Sequence, residues 1–292
     1  TPAIENLINY YEESEVILIG SPLSIEVLKN HPKIFSSYVL EKKYISLYKM
    51  SKKLGQFDIF ISYRGSFRSR FFKQFISSKK KFQFNRNNYQ NRHQVQKYND
   101  FINDCIGSKL KAGNLIIHPF SKQKNTNLKP VIGINPGASY GDSKRWQSEE
   151  FAKVVISLSN KFDILIFGGV SEKNIANKIE KLLIENNVLN YQNLAAETSI
   201  DQLIHHISTL DIFITGDSGP MHLAAAFKVP TVSIFGPTNY NETSQWMNDK
   251  GVIVKKELDC QPCMKRKCPL KHNNCMKLIK ADEVLNSVKS LI

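Results

Sequence analysis

No stretch of 18 or more apolar residues occurs in this 292-residue chain, so it offers no transmembrane helix. The opening Thr-Pro-Ala-Ile-Glu-Asn-Leu carries no Met, no basic leader and no signal-like apolar segment. It reads instead as a helix start with Pro2 in the first turn. Internal repeats and low-complexity tracts are lacking as well. Acidic residues are outnumbered, 26 against 40 Lys and Arg, for a formal charge of +14. Much of that excess lies from Arg64 to Lys81 and again from Lys265 to Lys280. Nucleic acid, an anionic membrane surface or an acidic substrate could each answer such a charge. Any module known to read nucleic acid is missing, so nucleic acid is not expected as a partner. An AT-rich genome, favouring Lys and Asn, would account for part of the charge with no partner at all.

What is present is an alternation of strand and helix. A hydrophobic content of 41%, with 14 Gly and 11 Pro, fits a globular chain long enough for two cores. In the first half, Glu15–Gly20 and Phe57–Ser62 read as buried strands. A helix from Ser24 to Lys29 follows the first, and an Arg- and Ser-rich segment, Tyr63 to Arg70, follows the second. A polar helix is expected over Gln90–Cys105. Residues 121–130 have no apolar periodicity and read as an inter-domain linker. The expected domains are residues 1–122 and 129–292.

The second half is more regular. Strands are expected at Val131–Asn135, Asp163–Phe167, Ile212–Ile214 and Thr231–Phe235. Helices are expected at Ser148–Asn160 with Ser148 as N-cap, Glu172–Asn186, Ser199–Leu210 with a capping box, and from about Met221. That alternation implies a doubly wound parallel sheet. Three turns fall at strand ends, where ligands bind in such sheets: Pro136–Trp146, Gly168–Glu172 and Thr215–His222. They supply hydroxyls (Ser139, Ser218), cations (Lys144, Arg145), carboxylates (Glu172, Asp217), Gly219 and His222. Cations and helix starts suit phosphates, and carboxylates suit sugar hydroxyls, so a nucleotide-diphosphate-sugar site is expected. Each turn alone has a plainer reading: Gly168-Gly169 as a tight turn, His222 as a packing residue, Lys144 and Arg145 as solvated charges.

Asn135-Pro136-Gly137-Ala138, Lys144-Arg145-Trp146, the strand-Gly-Gly turn and Gly216-Asp217-Ser218-Gly219-Pro220-Met221-His222 together resemble glycosyltransferase family 9, the ADP-heptose–lipopolysaccharide heptosyltransferases. The Cys-rich tail is similar to the heptosyltransferase II branch. The resemblance implies a GT-B α/β fold: two Rossmann-like domains with parallel sheets facing a cleft, the C-terminal one holding the donor. It also implies inverting transfer of heptose from ADP-heptose to an inner-core heptose of lipopolysaccharide or lipooligosaccharide, with no cofactor required for catalysis. On that resemblance, Lys144 contacts the diphosphate or sugar, Ser139 the donor, and Asp217 the heptose hydroxyls. Ser218, Gly219 and His222 shape the phosphate-facing helix start, and Glu172 serves the ribose. The family's general base is an Asp in a turn after a first strand, and that turn is expected upstream of Thr1, so no residue here is nominated for that role. The alternatives are a truncated, non-catalytic nucleotide-sugar-binding homologue and a heptosyltransferase I-type enzyme acting on Kdo.

Arg64 and Arg68, with Arg70, could pair with acidic groups of a lipid A–Kdo–heptose acceptor, or form a solvated basic loop. Arg92, His93 and Lys97 are weaker candidates. The expected location is the cytoplasm, at the cytosolic face of the inner membrane, with the basic surface in peripheral contact with anionic lipid. Four of five cysteines cluster as Cys260-x2-Cys263-x4-Cys268-x6-Cys275, with His272 inside. The cluster could hold a structural zinc or remain a set of reduced thiols. Cys105 reads as a core thiol.

Overall fold

The computed structural model describes residues 1–118 and 129–292. Most of the expected linker, residues 121–128, lies outside them. The chain divides into two units, Thr1–Phe120 and Ser121–Ile292.

The first unit holds two parallel strand pairs. β1 (Val16–Gly20) pairs with β2 (Ile34–Val39), and β3 (Gln56–Ser62) with β4 (Ser77–Gln83). Parallel neighbours need a crossover. Helix Pro22–Leu28 provides the first, and helix Phe67–Phe75 provides the second. The Arg/Ser-rich segment therefore does not continue as a loop. Ser66 caps a helix there by accepting the Ser69 amide at 3.3 Å. Phe72 and Ile76 then bury against Leu47. Helices Pro2–Tyr10 and Gln94–Ile106 enclose Ala3, Phe101, Ile102 and Ile106. His93 caps the second of these through a capping box with Gln96, which starts it later than Gln90.

The second unit is one six-stranded parallel sheet. Its strands are β5 (Val131–Asn135), β6 (Asp163–Ile166), β7 (Tyr191–Asn193), β8 (Ile212–Gly216), β9 (Thr231–Phe235) and β10 (Gly251–Lys255), in the order β10-β9-β8-β5-β6-β7. β5, β8 and β9 are buried at every position, which is why they read as unbroken apolar runs. Helices Ser148–Leu158, Lys173–Glu185 and Ala281–Lys289 supply Val154, Val155, Ile179 and Val284 to the larger core. Helices Ile200–Thr209 and Gly219–Ala226 supply Ile207 and Ala224 to the smaller one. Ser199 forms the expected capping box with Gln202. Ser148 is not an N-cap: Gln147 occupies that place without a side-chain bond, and Glu149 and Glu150 face the positive helix end instead.

Candidate functional site

The chain leaves β5 toward β6 on one side and returns to β8 on the other. The crevice between the carboxyl ends of β5 and β8 is thus the sheet's switch point, where open α/β sheets bind ligands. Asn135, the last residue of β5, ties the two strand ends together. Its amide donates to the Gly137 carbonyl at 3.3 Å, and to Thr215 Oγ1 and Ser218 Oγ at 3.4 Å each.

Asp217 lies just past β8 and is 6% exposed. It accepts from Lys144 Nζ at 2.5 Å, from Thr238 Oγ1 at 2.7 Å and from Thr243 Oγ1 at 3.4 Å. Lys144, whose side chain is 11% exposed, also donates to the Asp217 carbonyl at 3.3 Å and stands 4.5 Å from the Tyr140 ring centroid. A buried ion pair persists only when further interactions offset its desolvation, and here the two threonine hydroxyls bond the carboxylate while the ring faces the ammonium. Thr238, Thr243, Tyr140 and the linking role of Asn135 are not among the site residues expected from the sequence. Thr238 had a usable signal, since it follows Gly236-Pro237 at the end of β9, a fourth strand-end turn.

Glu172 closes the turn after β6 and is buried. It accepts the Gly169 amide at 2.8 Å and the Ser171 hydroxyl at 2.7 Å, with Arg145 at 3.9 Å. Gly137 lies directly over it: a Cβ there would fall 2.0 Å from Glu172 Cγ. The three turns therefore meet at adjacent strand ends. Ser139 is exposed on the first. Ser218 precedes helix Gly219–Ala226, but its hydroxyl pairs with Thr215 Oγ1 at 3.1 Å and makes no side-chain cap. Gly219 is exposed at the first helical position, and His222 is half-buried within the first turn.

The acceptor-side candidates belong to the other unit. Arg64 and Arg68 are exposed, and the Arg64 carbonyl accepts from Ser69 Oγ at 2.7 Å and Gln83 Nε2 at 2.9 Å, tightening the turn after β3. Arg92 pairs with Asp100 at 2.6 Å, His93 is a helix cap and Lys97 is buried.

All five cysteines are free. Cys260, Cys263, Cys268 and Cys275 line one cavity together with Ser143, Pro237 and His272. The Asn273 amide, with those of Leu270, His272 and Lys271, holds the Cys268 thiol below its ordinary value. Burial and the neighbouring cysteines push the Cys275 thiol up to about 11. Cys105 is half-buried against the first unit's core, and burial pushes its thiol up to about 12.

Residues 47–274 match the model of glycosyltransferase family 9 (heptosyltransferase). Lipooligosaccharide heptosyltransferase 2 of Campylobacter jejuni subsp. jejuni serotype O:2 is 39% identical over 302 residues, which span 100% of this chain and 93% of that protein. Among solved structures, E. coli ADP-heptose LPS heptosyltransferase II aligns with a TM-score of 0.79 at 19% identity, over 99% of this chain and 93% of its own. The family 9 glycosyl transferase of Veillonella parvula aligns with a TM-score of 0.82 at 18% identity, over 99% and 92%. The structural likenesses carry the fold, which is of the GT-B class. With the family model spanning most of the chain and the relative spanning all of it, the chain belongs to glycosyltransferase family 9, the heptosyltransferases.

Proposed function

We propose that this protein moves heptose from ADP-heptose to an inner-core heptose of lipopolysaccharide or lipooligosaccharide, with inversion at the transferred carbon. The observation that carries the reading is the Lys144–Asp217 pair at the switch point, in a chain so similar to a lipooligosaccharide heptosyltransferase 2. The ADP diphosphate lies against the start of helix Gly219–Ala226, whose free amides and dipole favour anions. Two of the three Lys144 N–H groups go to Asp217, and the third meets a diphosphate oxygen. As the glycosidic bond breaks, negative charge grows on ADP, and a cation already held in place stabilises it without reorganising. Asp217 positions Lys144 and accepts from sugar hydroxyls through its remaining lone pairs. Glu172 and Ser139 hold the nucleoside side. The acceptor hydroxyl loses its proton to a base that is not assigned among these residues.

The acceptor is anchored in lipid, and the first unit carries a surface suited to lipid. Residues 42–81 hold twelve Lys and Arg against one acid, Asp58. On helices Tyr44–Lys53 and Phe67–Phe75, Ile45 is 72% exposed and Phe67 77%. The helices meet through the edge-to-face pairs Tyr44–Phe71 at 4.9 Å and Tyr48–Phe75 at 5.2 Å. This aromatic and cationic ridge rests on the anionic cytosolic face of the inner membrane. The testing experiment is incubation of the full chain with ADP-heptose and a defined inner-core acceptor ending in heptose. A product heavier by one heptose and inverted at the new linkage is expected. Transfer to a Kdo-terminated acceptor alone would overturn the acceptor assignment.

A further inference from the structure

The cysteine cavity lies against the turn that carries Lys144. The Cys268 sulfur accepts the Asn273 amide at 3.4 Å, a setting suited to a thiolate wrapped by peptide N–H groups. His272 Nδ1 accepts the Asn274 amide at 2.9 Å, so the four sulfurs are the larger donor set of the cavity. Four soft thiolates in a short loop that begins Cys-x2-Cys suit a tetrahedral zinc ion. As the side chains stand, no three of the sulfurs lie within 4.8 Å of one another.

The same loop is fastened to the donor turn by three successive carbonyls. Met264 accepts from the Tyr140 hydroxyl at 2.7 Å, Lys265 from the Ser143 hydroxyl at 2.6 Å, and Arg266 from the Ser143 amide at 3.3 Å. Gly141 makes the approach feasible: at φ +156° a Cβ there would fall 2.4 Å from the Arg266 carbonyl oxygen. The Arg266 guanidinium stands 5.2 Å from the Tyr140 ring, the ring that Lys144 also faces. On its other side the loop is joined to the end of β9, through Gln261 to the Gly236 carbonyl at 2.6 Å and the Met264 amide to the Pro237 carbonyl at 2.9 Å.

We propose that Cys260, Cys263, Cys268 and Cys275 bind one zinc ion, and that the zinc fixes residues 260–268 as the support on which the Lys144 turn is held. Only the effect on nucleotide binding rests on the donor-site reading above. Each ligand sheds its thiol proton to solvent on binding, so uptake releases protons. The test uses the full chain, purified under reducing conditions. Metal analysis gives one zinc per chain, and cobalt(II) in its place gives intense thiolate-to-cobalt absorption. Chelation removes the ion, speeds hydrogen exchange at the Ser143 amide about tenfold and weakens ADP binding about tenfold, and added zinc restores both. A Cys263→Ser, Cys268→Ser double variant reproduces the chelated state where it folds, and the chelation arm stands without it. A chain with no zinc and no cobalt–thiolate absorption overturns the site. Zinc whose removal leaves Ser143 exchange unchanged overturns the supporting role. Faster exchange in a chain that binds ADP in neither form upholds the support and removes the donor-site reading instead.

Discussion

Asp217 holds three side-chain donors at once, and that makes it a structural residue as well as a candidate site residue. Asp217→Ala strips the acceptor from Lys144 and from Thr238 together. Leaving a buried cation unpaired costs about 3–5 kcal/mol. Its loss of turnover is therefore expected to come with a lowered melting temperature. Asp217→Asn keeps a carbonyl oxygen for the threonine but gives up the charge that holds the lysine. It should melt well above the alanine variant while transfer falls about 100-fold. Thermal melts and steady-state rates on both variants separate the two effects, and equal turnover in Asn and wild-type protein would deny Asp217 its positioning role. Much at this scale was legible in the sequence. Lys144, Glu172, Asp217 and Ser218 all lie in strand-end turns, and several polar turns at one end of a parallel sheet mark the crevice where such sheets bind ligands. Thr238 was not legible, because the turn after β9 read only as the close of a strand. Side-chain partners across 21 residues, as between Thr238 and Asp217, leave no mark in local pattern.

Elements whose pattern was simple were read almost to the residue, and those with mixed pattern were missed. β5 and β9 are continuous apolar runs and match their expected bounds. β4 carries three successive lysines, Lys79 to Lys81, inside the basic stretch where no strand is expected, yet it pairs in parallel with β3 along Gln56–Ser62. Helix Phe67–Phe75 was hidden by the same charge. Its exposed Phe67, with Ile45 of the neighbouring helix, makes a prediction. The double change Ile45→Glu and Phe67→Glu should abolish sedimentation with vesicles rich in anionic phospholipid and leave ADP binding intact. Wild-type binding should weaken as salt rises. Equal binding to neutral vesicles would exclude the electrostatic part of the account. A second element-scale prediction concerns helix Ala281–Lys289. Its first amide, Ala281, donates to buried Glu150 Oε2 at 2.7 Å, tying the last helix to helix Ser148–Leu158. Burial raises the Glu150 pKa, but bonds from Lys153 and the Ala281 amide outweigh it and leave the carboxyl below its usual 4.5. A depressed carboxylate pKa stabilises the fold above the unfolded value and loses that contribution as pH falls through the folded one. Glu150→Ala should cost about 1–3 kcal/mol at neutral pH, with the deficit shrinking below about pH 4. Urea melts at both pH values check this.

Over the whole molecule, each unit has its own parallel strands and its own core, and the chemistry divides in the same way. The polar groups of the strand-end turns gather in the second unit, and the cationic, aromatic surface belongs to the first. The parallel α/β class was legible because strands and helices alternate along the entire chain. The crossing from β5 to β8 was less so, since strand order is set by which helices cover which face, and periodicity does not record that. Knowing the order turns three separate turns into one site. The claim on which the rest depends is that this site holds ADP through Lys144. The measurement that tests it most directly is calorimetric titration of ADP into the wild-type chain and into Lys144→Met. The account predicts saturable one-to-one binding to the wild type and an affinity about 10- to 100-fold weaker in the variant, the loss of one charge-assisted contact to phosphate. Equal affinity in the two proteins would contradict it.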